Sequence, residues 1–241
     1  MSENFPKLET EPLVTEREWT VDGVTVLTAS VSLPRPLDRK SRTARRIDRF
    51  YRLQRRSYLQ YCEKWLFPAA AEAYRRAAAD SGPLPCRSAS VSYRVTCGEG
   101  PLWSLYSDLK ETAEGRTEIL RLGDTWDLRT GYPLPLPALF ARHTPWRREL
   151  IARAEAEIRR QEAAGAARYR EDWPQRLRKY FSRENFYVTP EEVRYYWQMY
   201  AIAPSAEGIP TFRLPFGEGG CRRPGGEDLP APAPETRPTR P

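Results

Sequence analysis

Hydrophobic and polar positions alternate in some stretches of this chain and recur at steps of three and four in others, so strands and amphipathic helices are both expected. Trp19 to Val21 and Val24 to Leu33 are runs of β-formers split by Asp22-Gly23, the two-residue turn most typical of hairpins. In the second run Leu27, Ala29, Val31 and Leu33 fall on one face, and Pro34 and Pro36 end it. From about residue 38 to 80 the period changes. Ile47, Tyr51, Gln54, Tyr58, Tyr61, Trp65 and Ala69 form one stripe of a long helix, arginines fill the opposite side, and Pro68 is expected to kink it.

Strict alternation returns at Ser88 to Thr96, continues through Leu102 to Lys110 and runs back from Thr117 to Leu128, which predicts an antiparallel meander because such short connections cannot make a parallel crossover. Thr144 and Pro145 resemble an N-cap and first helical position. Leu150, Ile151, Ala154 and Ile158 then mark a helix ending near Gly165, and Trp173, Leu177, Tyr180 and Phe181 a shorter one. The densest aromatic and apolar run, Glu192 to Phe216, reads as two strands around the loop Pro204-Ser-Ala-Glu-Gly208. This hairpin is expected to be the element on which the others assemble. Residues 1 to 15 are polar and aperiodic and are expected to be loosely held. Residues 217 to 241, rich in Gly, Pro, Arg and acids, are expected to form a disordered tail.

The fold class is therefore α+β: a twisted antiparallel sheet with a long N-terminal helix and two later helices packed on it, formed by one domain over residues 16 to 216. At 40% hydrophobic and 29% charged residues the composition suits a packed core under a charged surface, and the formal charge of +7 favours acidic partners or simple solubility. No window approaches the apolar length of a membrane span, and the N-terminus lacks the pattern of a secretion signal, so as written the chain is expected in the cytoplasm. Cys62, Cys86, Cys97 and Cys221 form no Cys-x-x-Cys pair. Reduced structural thiols are expected, although a Cys86 to Cys97 bridge can be drawn.

Candidate chemistry is sparse. Arg45, Arg49, Arg52 and Arg56 lie at helical spacing among aromatics and suggest an anion or nucleic-acid contact, with a solvated helix face as the plainer reading. Asp124 and Asp127 can be read as paired carboxylates, but residues three apart on a strand face opposite sides, so no catalytic residue is assigned. Glu207, beside Gly208, is either a ligand contact or a carboxylate that holds its turn. His143 is read as an exposed loop residue. No metal or cofactor is expected, since no ligand cluster accompanies it.

The order Asp124-Thr-Trp-Asp-Leu-Arg-Thr-Gly131, Leu136-Pro-Ala-Leu-Phe140, Asn185-Phe-Tyr-Val-Thr189 and Tyr196 to Phe216 resembles the RsiV-type C-terminal domain. That domain of unknown function forms the extracytoplasmic part of a lysozyme-binding anti-sigma factor, is attached to some peptidoglycan deacetylases, and looks most similar here in clostridial-type stand-alone members. The family's Gly-Gly-Ala-His segment is replaced by Glu111-Thr-Ala-Glu-Gly-Arg-Thr117. The resemblance implies a non-enzymatic binding or sensing domain with a protein or cell-envelope ligand, and it draws attention to Asp124, Trp126, Asp127 and Glu207 as ligand contacts. The alternatives are a nucleic-acid-associated protein using the arginine helix, or an enzyme with a carboxylate site at Asp124, Asp127 and Glu207.

Overall fold

The computed structural model describes residues 7–223 except 81, 83, 84 and 99. The N-terminal turn forms as expected: Asp22 and Gly23 both take positive φ, 50° and 78°, which matches the twist of the two strands it joins. Those strands are β1 (Thr10–Val21) and β2 (Val24–Pro36). Residues 10–15, expected to be loose, instead pair along the end of β2 from Thr10 opposite Pro36 onward. Residues 1–6 and 224–241, included in the expected flexible ends, lie outside the described residues.

A helical segment then crosses the sheet as α1 (Arg42–Tyr61), a π-helical turn (Cys62–Leu66) and α2 (Phe67–Ala79). Ser41 starts it by accepting a hydrogen bond from the Ala44 N–H at 3.0 Å. Pro68 has no N–H to give and its ring crowds the carbonyl four residues earlier; the wide turn directly before it takes up both defects. The extra residue in that turn also delays the buried stripe by one position. Beyond Tyr58 the buried residues of this segment are Cys62, Ala70, Ala71 and Tyr74, while Trp65, expected in the stripe, is 69% exposed.

After this crossover, β3 (Arg87–Cys97) lies parallel to β2 over Leu27–Val31 and Arg87–Val91. The expected meander follows with β4 (Leu102–Ala113), β5 (Arg116–Asp127) and the short β6 (Tyr132–Pro133). Strand order is β1-β2-β3-β4-β5-β6. The α+β class is as expected, but the large sheet is mixed, because a helix-length connection allows one parallel junction.

The remaining elements are α3 (Trp146–Ala163), α4 (Trp173–Lys179), β7 (Phe186–Val188), β8 (Glu192–Tyr196) and β9 (Thr211–Pro215). The final hairpin, expected to join the large sheet as the element on which the others assemble, pairs with β7 as a separate three-stranded sheet. Helix α3 begins at Trp146, without a side-chain cap from Thr144.

Adjacent residues of β4 show how the layers stack. Trp103 belongs to the hydrophobic cluster under α1, whereas Leu102 belongs to a second cluster with α3, α4 and the small sheet. Successive strand residues point to opposite faces, so the helix and the small sheet cover opposite sides of the large sheet. Side chains tie the layers together: the Val188 N–H donates to Ser104 Oγ at 2.9 Å and Thr96 Oγ1 donates to the Val188 carbonyl at 2.6 Å. Cys221, in the stretch expected to be an open tail, is buried in the second cluster and bridges to Phe140. Cys62, Cys97 and Cys221 are buried, and Cys86 is exposed.

Candidate ligand-binding groove

On the α1 side, β4 and β5 present cross-strand pairs in sequence: Trp103–Trp126, Leu105–Asp124, Ser107–Leu122, Leu109–Leu120 and Glu111–Glu118. Helix α1 covers the first pairs closely and the later ones incompletely. Two adjoining concavities result. One, of about 480 Å³, is lined by Phe50, Leu53, Tyr58, Val91, Leu109 and Leu122 among others. The other, of about 530 Å³, shares Tyr58 and Leu109 with it and extends to Tyr61, Glu111, Glu118, Leu120, Gln198 and Tyr200. Leu53, Leu120, Leu122, Tyr61 and Tyr200 are exposed along this groove.

Two tyrosine–carboxylate pairs lie on this face of the sheet. Under α1, Tyr51 OH donates to Asp124 Oδ2 at 3.1 Å and accepts from Trp126 Nε1 at 3.2 Å. Burial pushes the Asp124 carboxyl up to about 6, against the pull of the Tyr51 hydrogen bond. At the open end Tyr61 OH lies 3.4 Å from Glu111 Oε2. Burial also raises the Glu111 carboxyl, and the facing Glu118 adds to it.

Tyr200 closes one wall from the turn after β8. Its φ of 67° places a bulky residue in the left-handed region, a conformation that costs roughly 1–2 kcal/mol in an L-residue. Gln198, from the same turn, holds the edge of β5: it accepts the Arg121 N–H at 3.0 Å and donates to the Arg121 carbonyl at 2.7 Å.

The residues singled out in the sequence are dispersed by the fold. Asp124 and Trp126 lie on the groove's face of the sheet but under α1, bonded to Tyr51 and outside the lining of both concavities. Asp127 faces the other way and is occupied by Arg129, accepting from its backbone N–H, Nε and Nη2 at 2.8–2.9 Å. Glu207 accepts the Arg168 N–H at 3.1 Å, bracing its loop. Arg45, Arg49, Arg52 and Arg56 form one exposed stripe on α1, and Arg52 pairs at 3.0 Å with the buried Asp48. His143 is an exposed loop residue. Sequence reasoning missed Glu111, Glu118, Gln198 and Tyr200. For the two glutamates a signal was present, since they flank the Glu114-Gly115 turn symmetrically; for the other two no local pattern marks the role.

Among the described residues no group of three or more His, Cys, Asp or Glu is placed to hold a metal ion, and no helix is long and apolar enough to cross a membrane.

The architecture is that of a sheet-based α+β protein with an apolar surface groove. Residues 138–217 match the family described as "Protein of unknown function (DUF3298)". Two solved structures share the fold. A DUF3298 family member from Bacteroides fragilis is 13% identical, with 86% of this chain and 90% of that chain covered and a TM-score of 0.64. A DUF3298 family protein from Pseudomonas aeruginosa is 17% identical, with coverage of 87% and 91% and a TM-score of 0.56. At these identities the likeness is one of fold. No curated protein matches the chain.

Proposed function

We propose that the protein is a binding and sensing domain without chemistry of its own, and that the groove between α1 and the β4–β5 hairpin receives a protein or cell-envelope ligand. The observation that carries this reading is the row of exposed Leu53, Leu120, Leu122, Tyr61 and Tyr200 around two joined concavities. Contiguous exposed apolar surface with a polar rim marks interaction sites, and tyrosines are favoured at their energetic centres. The dispersal of Asp124, Asp127 and Glu207, each with its own protein partner, supports recognition over acid–base chemistry.

The resemblance to the RsiV-type domain supports a protein ligand, lysozyme among the candidates. A net charge of +7 slows encounter with a basic partner. The Glu111–Glu118 pair at the groove mouth is a local counterweight.

Capture from an envelope extract of the native host, with and without added lysozyme, tests the reading when wild type and Leu122→Asp are compared. Leu122 is on the rim, so the variant folds and is checked by circular dichroism. Wild type is expected to retain a partner that the variant loses. Equal capture by both proteins, or by neither, overturns the reading.

A further inference from the structure

Strand β5 is an edge strand over most of its length, because β6 pairs with it only at Trp126 and Asp127. Its outward-pointing groups can be assigned from the bonds that do form. Thr125 gives its carbonyl to the Leu134 N–H at 2.7 Å, and Arg121 is bonded at both N–H and C=O by Gln198. Position 123 is a glycine because Phe186 closes on it: a Cβ there would stand 1.8 Å from the Phe186 carbonyl oxygen. Residues 121 and 125 thus face outward, and in an antiparallel pair that orientation repeats every second residue. Ile119 and Thr117 continue the series, and among the described residues neither has a partner on that side.

The Gln198 carboxamide bonds Arg121 as a residue of a neighbouring strand would, donor to acceptor and acceptor to donor. It shows that the edge is geometrically fit for pairing, and it ends the open part at 120. The larger concavity lies along this open part, lined by Glu118, Ile119 and Leu120 on one side and Gln198, Met199 and Tyr200 on the other. Glu111 and Glu118 stand directly opposite each other. Like charges so placed destabilise a strand pair, and a cation beside them removes the repulsion. Tyr61 and Arg87 are the other groups that act on Glu111, and Arg87 also pairs with Glu114 at 3.8 Å.

We propose that the free edge of β5 at Thr117 and Ile119 accepts an extended segment of a partner protein as an added strand, with an apolar side chain over Leu120 and a basic side chain at Glu111 and Glu118. Main-chain bonds supply the affinity in this mode and alternate side-chain contacts the selectivity. The inference rests on the proposed binding role of the groove and names its partner's chemistry.

A display library of random linear dodecapeptides, selected on the full chain, tests it. Ile119→Pro removes one outward donor and takes nothing from the β4 ladder, so the fold tolerates it at an edge. Selected peptides are expected to alternate apolar and basic residues. They are expected to lose about tenfold in affinity on Ile119→Pro, the worth of one or two hydrogen bonds, and to slow hydrogen exchange at the Thr117 and Ile119 amides. Glu118→Gln is expected to weaken binding and flatten its salt dependence. Peptides that bind Ile119→Pro as tightly as wild type, or that leave the two amides exchanging freely, overturn the inference; so does a library that yields no binder. If such peptides are nonetheless lost on Leu122→Asp, strand addition falls while the groove reading stands. If neither peptides nor an envelope partner bind, both fall.

Discussion

The two faces of the large sheet carry hydrophobic clusters of different character. The cluster formed with α3, α4 and the small sheet is closed in its interior, and the concavity of about 650 Å³ over it, between α3 and β9, is rimmed by arginines and glutamates. Two of its large polar aromatics bond inside it: Trp197 Nε1 donates to the Leu177 carbonyl and Tyr195 OH to the Leu150 carbonyl, each at 3.1 Å. The cluster under α1 is closed only at its deep end. Towards the hairpin tip Tyr58 OH and Ser107 Oγ are buried without a hydrogen-bond partner, and the leucines beyond them face solvent. A core that bonds every large polar group fixes one packing, whereas unpaired buried hydroxyls and exposed leucines cost stability. The family match over residues 138–217 covers the closed side and, of the groove, only the wall formed by Gln198, Met199 and Tyr200.

The largest effect that tests this contrast is expected at Trp197, which is buried in the closed cluster between Tyr195, Phe181 and Phe212. Trp197→Ala opens a cavity and leaves the Leu177 carbonyl unpaired, and is expected to cost about 3–5 kcal/mol in urea unfolding. Leu122→Ala, on the open side, is expected to cost less than about 1 kcal/mol. Equal losses would mean that the groove is as tightly built as the core.

A second change acts where the two sides meet. Gly123→Ala drives a Cβ into the Phe186 carbonyl, and backbone cannot give way as a flexible side chain does. The variant is expected to lose about 1–3 kcal/mol or more. It is also expected to speed amide exchange in β7 ahead of β2. Uniform acceleration would show that the layers do not separate at this contact.

These contrasts also mark what the sequence disclosed. The Asp22-Gly23 hairpin, the meander and the α1 stripe up to Tyr58 were legible because each follows from local spacing. The stripe beyond Tyr58 was not, because the π turn before Pro68 shifts the phase by one residue and turns Trp65 outward. The parallel junction of β2 with β3 and the separate sheet of the final hairpin depend on contacts distant in sequence, which periodicity does not encode. For the site, the three-residue spacing of Asp124 and Asp127 correctly sent them to opposite faces. The roles of Gln198 and Tyr200 were invisible, since they arise where one sheet's turn meets the other's edge.

The next effect is smaller and depends on pH. Burial raises Asp124 from the ordinary carboxylate value to about 6, so the folded protein holds a proton that the unfolded chain has released. Stability therefore falls as pH rises from about 4 through 6, and the cost is fully present above the folded value. A two-unit shift corresponds to roughly 3 kcal/mol; Asp124 keeps some solvent contact, so the cost is expected to be below that. Asp124→Asn is expected to remove this slope, leaving the variant at least as stable as wild type at pH 7 and nearly equal to it at pH 4. A slope that survives the substitution would assign it to another group.

The smallest expected change in stability is on the exposed stripe of α1. Arg45→Ala, Arg49→Ala and Arg56→Ala lie on a solvated surface, and each is expected to stay within about 0.5 kcal/mol of wild type. Arg52→Ala differs, because Arg52 lies 3.0 Å from Asp48, whose buried carboxylate would be left with Arg39 at 3.8 Å. The three exposed variants therefore separate charge from folding. If the stripe binds nucleic acid, the wild type shows affinity that falls steeply with salt, and combining the three changes flattens that slope by roughly the number of phosphate contacts removed. With the fold intact and the groove untouched, an unchanged slope leaves the arginines as a solvated face and takes the charge of α1 out of the comparison.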